Sequence, residues 1–516
     1  MIKKLILFVV VLLMTIGTVC YADGPRKPDS SGTNTGNILD IPAAKPGEPA
    51  IAEISNTVGH NKVAINMMWV LVTGFLVMFM QAGFAMVETG LTRAKNVAHT
   101  ISMNFLIYPL GMLGFYLCGF ALMFGGVGAL GTLGGFDGLN KEFSLNLGSH
   151  SFGLFGMKGF LLNYNVYDVG VLAMFLFQMV FMDTTATIPT GSMAERWKFS
   201  SFFIYGIFVG TIIYPIFGNW VWGGGWLATL GKEFGLGHGH VDFAGSSVVH
   251  MTGGVLALVG AVILGPRIGK YNKDGSANAI PGHNISMAVI GTFILAFGWF
   301  GFNAGSTLSG TDLRISVVAV NTMIASSAGA IASVLYMWFY RTKKPDPTMM
   351  LNGMLAGLVA ITAPCAFVSV GGAAIIGLIS GVLVIEAALF IDKKLRVDDP
   401  VGAIAVHGVN GAWGCLALGL FADGTYGDGW NGVAGTVTGL FYGGGFSQLI
   451  AQIVGVTTNI IYVGGIGWLM FKLIDKIVGN RVKPEDELMG LDIPEMGIEG
   501  YSGMKMDKNA ETPLSR

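Results

Sequence analysis

The chain has 516 residues, 52% of them hydrophobic and only 12% charged, with a formal net charge of −1; a soluble domain carries roughly 25% charged residues, so a water-soluble globular protein is excluded. Glycine is abundant, at 78 residues, but follows no three-residue period, which rules out a collagen-like chain and points instead to closely packed membrane helices. With no basic block longer than two residues, nucleic acid is not the expected partner, and Cys20, Cys118, Cys365 and Cys415 are too scattered for a disulfide framework or a zinc finger.

Residues 1–22 read as a secretory signal: Lys3 and Lys4, an apolar run from Leu5 to Ile16, then Cys20-Tyr21-Ala22 before a cleavage point. An uncleaved first helix is the competing reading. Residues 23–62 are polar and rich in Pro and Gly, and are expected to form a loose extracytoplasmic lead-in. From Val63 to about residue 475 the chain divides into eleven apolar stretches of spanning length, roughly 20 residues each. Their limits are 65–88, 97–125, 166–192, 199–222, 243–265, 284–305, 315–340, 349–368, 370–391, 401–422 and 446–472. Alternate loops are basic: Arg93 and Lys95; Arg196 and Lys198; Arg267, Lys270 and Lys273; Arg341, Lys343 and Lys344; Lys393, Lys394 and Arg396. By the positive-inside rule these loops are cytoplasmic, which puts the mature N-terminus outside and the C-terminus inside the cell (inner) membrane. Residues 476–516 form a charged cytoplasmic tail. The expected fold is therefore an all-α polytopic membrane protein. Small residues at Gly253, Ala257 and Ala261 in the fifth span, and at Gly408, Gly411 and Gly414 in the tenth, let helix backbones approach closely.

Six of the eight histidines, His60, His99, His150, His238, His240 and His283, fall in loops or near span ends, whereas His250 and His407 fall inside apolar spans. Ionisable groups at membrane depth are functional candidates. Asp242 precedes His250 by eight residues at the start of the fifth span, and Asp399 precedes His407 by eight at the start of the tenth. Because the two spans are five apart, the second five-helix block runs inverted relative to the first, a five-plus-five pseudo-twofold repeat. Eight residues at about 1.5 Å each carry both rings about 12 Å inward, to the midplane. Each aspartate has an equally good reading as a helix N-cap, reinforced at Asp399 by Pro400. Two imidazoles make a poor metal site, since zinc takes three or four protein ligands; no metal and no cofactor is expected. A neutral imidazole pair can instead hydrogen-bond a small polar solute and pass a proton.

Around these histidines the sequence resembles the ammonium transporter / methylammonium permease / Rhesus family. The resemblance is carried by Asp242-Phe-Ala-Gly-Ser-Ser-Val-Val-His250, by Asn219-Trp-Val-Trp222-Gly-Gly-Gly, by Gly298-Trp-Phe-Gly-Phe302-Asn-Ala-Gly-Ser306 and by Arg396-Val-Asp-Asp-Pro400 leading to His407-Gly408, and it spans about residues 63–501. It implies an eleven-helix protomer, a homotrimer with one pore per subunit, and ammonium transport without enzyme activity. His250 and His407 would be the pore pair. Phe177, Trp222 and Ser306, with Asp242 beside them, would recruit ammonium on the outer side, and Phe181 and Phe302 would form a phenyl gate below. An ammonium ion over aromatic faces gains cation–π attraction, and a serine hydroxyl can accept one of its hydrogen bonds. Residues 490–501 resemble the family's regulatory segment, which docks PII-type signalling proteins, although Met496 stands where the family often has His. Ser246, Asp183 and Asn410 also depart from the family pattern. Ser246 and Asp183 keep open a second reading, a non-conducting ammonium sensor. An intramembrane enzyme lacks a paired nucleophile or third metal ligand.

Overall fold

The computed structural model describes residues 49–128 and 130–501; the expected signal peptide, Cys20 and the end of the tail lie outside them. Among the described residues ten helices are long and apolar enough to cross a membrane, as expected where each apolar run must satisfy its own backbone hydrogen bonds in lipid. In chain order the helices are α1 (Pro49–Leu91), α2 (Ala94–Phe124), α3 (Val169–Ser192), α4 (Phe199–Trp222), α5 (Ser246–Leu264), α6 (Ile285–Ala304), α7 (Ile315–Arg341), the shorter apolar α8 (Pro347–Ile361), α9 (Val370–Leu395), α10 (Ile404–Phe421) and α11 (Ser447–Val478). The central helix is α3, buried along most of its length between α1, α2 and α5.

Two sequence expectations need correction, and the helical fold carries one further element. Residues 49–62 are not a loose lead-in: they extend α1 to 43 residues, or about 64 Å, because adding residues to an existing helix avoids the cost of nucleation. The fold is helical as expected, with one addition: Glu142–Leu147 (β1) and His150–Gly156 (β2) pair as an antiparallel hairpin, closed through Gly148-Ser149 as a short glycine-containing turn permits. The eighth stretch, expected over 349–368, yields only the 15-residue α8 and then turns through Thr362–Val368. Those turn residues are fully buried, and irregular backbone at membrane depth is tolerated only where protein surrounds it.

One end of the bundle is closed by buried charge. Glu195 pairs with Arg93 and with Arg267 (3.1 Å), while Arg267 grips Asp398 through Nε (2.8 Å) and Nη2 (2.9 Å). Arg196 adds a hydrogen bond to the Asp398 carbonyl (2.7 Å). The loops after α1, α3, α5 and α9 therefore share one face. Residues 480–501 lie across it: Asp492 accepts from the His99 amide (2.9 Å), Glu495 from the Phe199 amide (2.8 Å), Glu487 from the Ile268 amide (2.7 Å), and Tyr501 meets His283 (2.7 Å). Burial opposes ionisation of Asp398, yet the Arg267 and Arg196 guanidiniums outweigh it and hold the carboxyl well below the usual aspartate range. A depressed folded-state value means that its stabilisation is complete above the ordinary aspartate range and is lost only as the pH falls below it. Asp398→Asn leaves a buried guanidinium uncompensated, so a loss of about 3–5 kcal/mol is expected at neutral pH. Thermal unfolding in detergent checks this, with an unchanged midpoint counting against the network.

Candidate functional site

Both histidines stand on short helices that begin inside the bundle. The carboxylate of Asp242 accepts from the amides of Gly245 (2.8 Å), Ser246 (2.9 Å), Ser247 (2.7 Å) and Val248 (3.0 Å) and from the Ser247 hydroxyl (2.7 Å). Asp399 does the same for Gly402 (3.0 Å) and Ile404 (2.8 Å). Three residues after each aspartate the chain turns through a glycine at positive φ, Gly245 at 120° and Gly402 at 81°, where a Cβ would be strained. Each aspartate is thus a cap. The full eight-residue helical rise expected from the sequence does not occur: the first residues after each aspartate are loop, and each histidine sits in a π-turn opening its helix, Ser246–Met251 or Ile404–Val409.

The two helices then touch backbone to backbone. A Cβ on Gly254 would collide with the Gly408 amide and lie 2.8 Å from the His407 carbonyl carbon. The sequence stripe through Gly253 missed this, since Gly253 packs against Ile188 and Thr185 of α3 instead. The close approach puts His250 Nδ1 and His407 Nδ1 3.2 Å apart, with ring centroids at 5.3 Å. One Nδ1 must donate and the other accept, so the pair shares one hydrogen. His250 Nε2 is buried with no hydrogen-bond partner among the described residues.

Aromatic rings run continuously from the histidines toward the face opposite the ionic network. Phe302 stacks on His250 (5.3 Å) and on Phe181 (4.0 Å), Phe181 packs against Phe177 (4.7 Å) and Trp222 (6.1 Å), and the Trp222 indole N–H donates to the Asp242 carbonyl (2.6 Å). Ser306 lies half-buried, its hydroxyl donating to the Phe302 carbonyl (2.7 Å). Asp242, 1% exposed and with both oxygens occupied, holds Trp222 and the His250 turn and presents no free oxygen to a solute. Sequence reasoning missed two rings. Trp299 stacks on His250 (5.1 Å) and is fixed by Thr362 Oγ1 (3.0 Å), and Phe84 lies 6.1 Å from His407. Trp299 stands three residues before Phe302, the spacing that puts two side chains on one helix face.

The departures from the expected pattern are internal to the scaffold. Ser246 donates to the Val359 carbonyl (2.8 Å) and accepts from the Ala363 amide (2.7 Å), which ties α5 to the broken end of α8. Asn410 donates to the Ala405 carbonyl (2.9 Å) within the His407 turn. Asp183 is 2% exposed, and its Oδ1 has no partner among the described residues. Those residues hold no cluster of three or more potential metal ligands.

Comparison with known proteins agrees over nearly the whole chain. The family model of the Ammonium Transporter Family matches residues 68–501. Ammonium transporter Amt2 of Archaeoglobus fulgidus is 46% identical over 483 residues, covering 93% of this chain and 96% of that protein. Ammonium transporter 1 member 3 of Solanum lycopersicum is 32% identical, covering 87% and 95%. Among solved structures, the Sensor Amt Protein shares 38% identity with a TM-score of 0.72 over 84% of this chain and 99% of that one. Mep2 of Candida albicans, at 23% identity and a TM-score of 0.67 over 82% and 87%, shares the fold.

Asp242→Asn puts an amide donor where the turn needs an acceptor and leaves at least one backbone N–H orphaned, at about 1–3 kcal/mol each. The expected result is a lower unfolding midpoint together with altered Trp222 fluorescence. A variant matching the parent in both would remove Asp242 from its capping role.

Proposed function

The chain belongs to the ammonium transporter family, and on that premise we propose that it carries ammonium across the membrane along the column of rings that ends at the histidine pair. The carrying observation is the unbroken sequence from Phe177 and Trp222 through Phe181 and Phe302 to His250 and His407, with the two imidazole nitrogens 3.2 Å apart. Phe177, Trp222 and Ser306 form the outer recruiting site, where aromatic faces replace part of the hydration shell of NH4+. Phe181 and Phe302 form the gate. Moving a full charge through hydrocarbon-like surroundings is expensive. The ion is therefore deprotonated near the outer site, NH3 crosses the apolar section, and the proton passes along the imidazoles. Asp242 serves this route by positioning Trp222 and His250.

The protomer is an eleven-span unit in which α8 is the short member, built as two inverted halves. That repeat is supported by the matching Asp-x-x-Gly caps, the matching π-turns at His250 and His407, and further π-turns in α2 and α7 and in α4 and α9, again five spans apart. The basic loops that meet on the ionic face support an outside N-terminus and a cytoplasmic C-terminus in the inner membrane, and Lys3, Lys4, the apolar run after them and Cys20-Tyr21-Ala22 support a cleaved signal over residues 1–22. Assembly as a homotrimer and docking of a PII-type protein at residues 476–516 complete the reading.

A second reading, an ammonium sensor with little or no flux, is favoured by the likeness to the Sensor Amt Protein and by the Phe181–Phe302 stack across the column. Current from proteoliposomes on an ammonium pulse separates the two: a transporter carries current, and a silent protein that still binds ammonium is a sensor.

Trp222→Leu is expected to weaken apparent ammonium affinity about twofold to thirtyfold, the equivalent of roughly 0.5–2 kcal/mol of cation–π attraction, with little change in unfolding. An unaltered concentration dependence of current would take Trp222 out of the recruiting site. His250→Asp and His407→Glu add a fixed negative charge that stabilises a whole cation, so both variants are expected to admit K+ alongside ammonium. Discrimination against K+ as sharp as the parent's would show that the pair does not set selectivity.

A further inference from the structure

One carboxyl in the membrane interior has no part in the route described so far. Glu88 lies on α1 one turn beyond Phe84, the ring beside His407, and is 3% exposed. With His407, Phe84, Asn352 and Val406 it lines a cavity of about 20 Å³, room for one water-sized molecule. His407 spends Nδ1 on His250, which leaves Nε2 for the cavity.

The surroundings of Glu88 suit both of its protonation states. Its Oε2 accepts from Asn104 Nδ2 (2.7 Å) and from the Thr190 hydroxyl (2.7 Å), and that same hydroxyl lies 2.6 Å from the Thr187 carbonyl. With Glu88 ionised, Thr190 donates to the carboxylate. With Glu88 protonated, the carboxyl donates to Thr190 Oγ1 and Thr190 turns its hydrogen to the Thr187 carbonyl, so no heavy atom moves and no polar group is orphaned. On α3, Gly191 leaves space for the second oxygen: a Cβ there would stand 3.0 Å from Oε1. A residue needed only as a hydrogen-bond acceptor could be a neutral glutamine, without an ionisable group at membrane depth.

We propose that Glu88 is the proton acceptor beyond the histidine pair, taking the proton that leaves His407 and returning it to ammonia in the cavity they share. The inference rests on the transport reading with its imidazole relay. In the first step His407-H+ loses its proton to the Glu88 carboxylate, directly or through the molecule in the cavity, giving neutral imidazole and a carboxylic acid. In the second, NH3 arriving through the apolar section takes that proton, which restores the carboxylate and releases NH4+ toward the ionic face. The titratable neighbours are His407 on α10, Asp399 ahead of it, and Tyr205 on α4, whose hydroxyl donates to the Ala186 carbonyl (2.9 Å). The other elements facing it bring Asn104 (α2), Thr190 (α3), Leu295 (α6) and Asn352 (α8), none of which titrates.

The test uses the full chain in liposomes, with ammonium-triggered current read as a function of pH on the side that Glu88 faces. Glu88→Gln keeps the shape and the Asn104 and Thr190 hydrogen bonds at one oxygen, so insertion and ammonium binding are expected to match the parent while current falls at least about tenfold and loses its dependence on that pH. Glu88→Asp is expected to restore part of the current together with its pH dependence. A conducting parent whose Glu88→Gln variant equals it in rate and pH profile overturns this proposal and leaves the transport reading intact. A parent that binds ammonium but carries no current overturns the transport reading and the proposal with it. If Glu88→Gln does not insert, infrared spectra of the parent decide: a protonated-carboxyl band rising on ammonium perfusion, and shifted in Thr190→Val, is expected, and no such band overturns the proposal.

Discussion

The contact between Gly254 and Gly408 is the constraint on which the site depends. Only because α5 carries no Cβ at Gly254 can it bring its backbone against that of α10 at Gly408, and only at that separation do two short imidazole side chains meet through Nδ1. The π-turns serve the same end, since widening one turn shifts the residue it contains out of the regular helical sequence of side chains. The stack of Phe302 and Trp299 on His250 then fixes the orientation of that ring, so the shared hydrogen lies along one defined direction.

At the ionic face the chemistry is of another kind. Two glutamate and aspartate carboxyls and three arginines, all buried, are joined through hydrogen bonds to the backbone of four loops and of the C-terminal segment. Charges taken out of water require this degree of pairing. The network holds the loops in one arrangement where apolar packing between helices in lipid supplies no comparable force. The buried turn after α8 meets the start of α5 through the Ala363 amide and Ser246, and Asp242 and Asp399 pair the amides that open α5 and α10, so both short helices begin with their backbone satisfied.

Much of this was legible beforehand. Apolar runs set by the thickness of a bilayer matched the helices to within about four residues, except at α1, α8 and the end of α11, where helix extension and a buried break depend on neighbours that local hydropathy does not contain. His250 and His407 stood out because an ionisable residue in an apolar run is rare, and the aspartates because they repeat at one spacing. Glu88 met the same criterion and went unremarked: it sits near the end of its run, beside the polar Thr89 and Thr92, where it resembles the start of a loop. The role of Gly254 was hidden by its neighbour, because Gly253 and Gly254 both fit a small-residue stripe and only the crossing of α5 over α10 decides which faces the partner. Phe84 and Trp299 carried no signal apart from spacing on helices rich in large apolar residues.

The loop from Asp242 to Val248 joins two tasks that the proposed route otherwise separates. Its first carbonyl receives the Trp222 indole, its carboxylate organises the turn that carries His250, and Ser246 within it pins the broken end of α8. Seven residues thus hold the outer aromatic face and the inner imidazole in a single rigid piece. On the proposed route, selection of the ion at the mouth and handling of its proton at the centre would be mechanically one property. Substitutions affecting the two ends through this loop should therefore combine non-additively even though the side chains they alter never touch, and a lineage adjusting affinity at the mouth would shift proton handling at the same time.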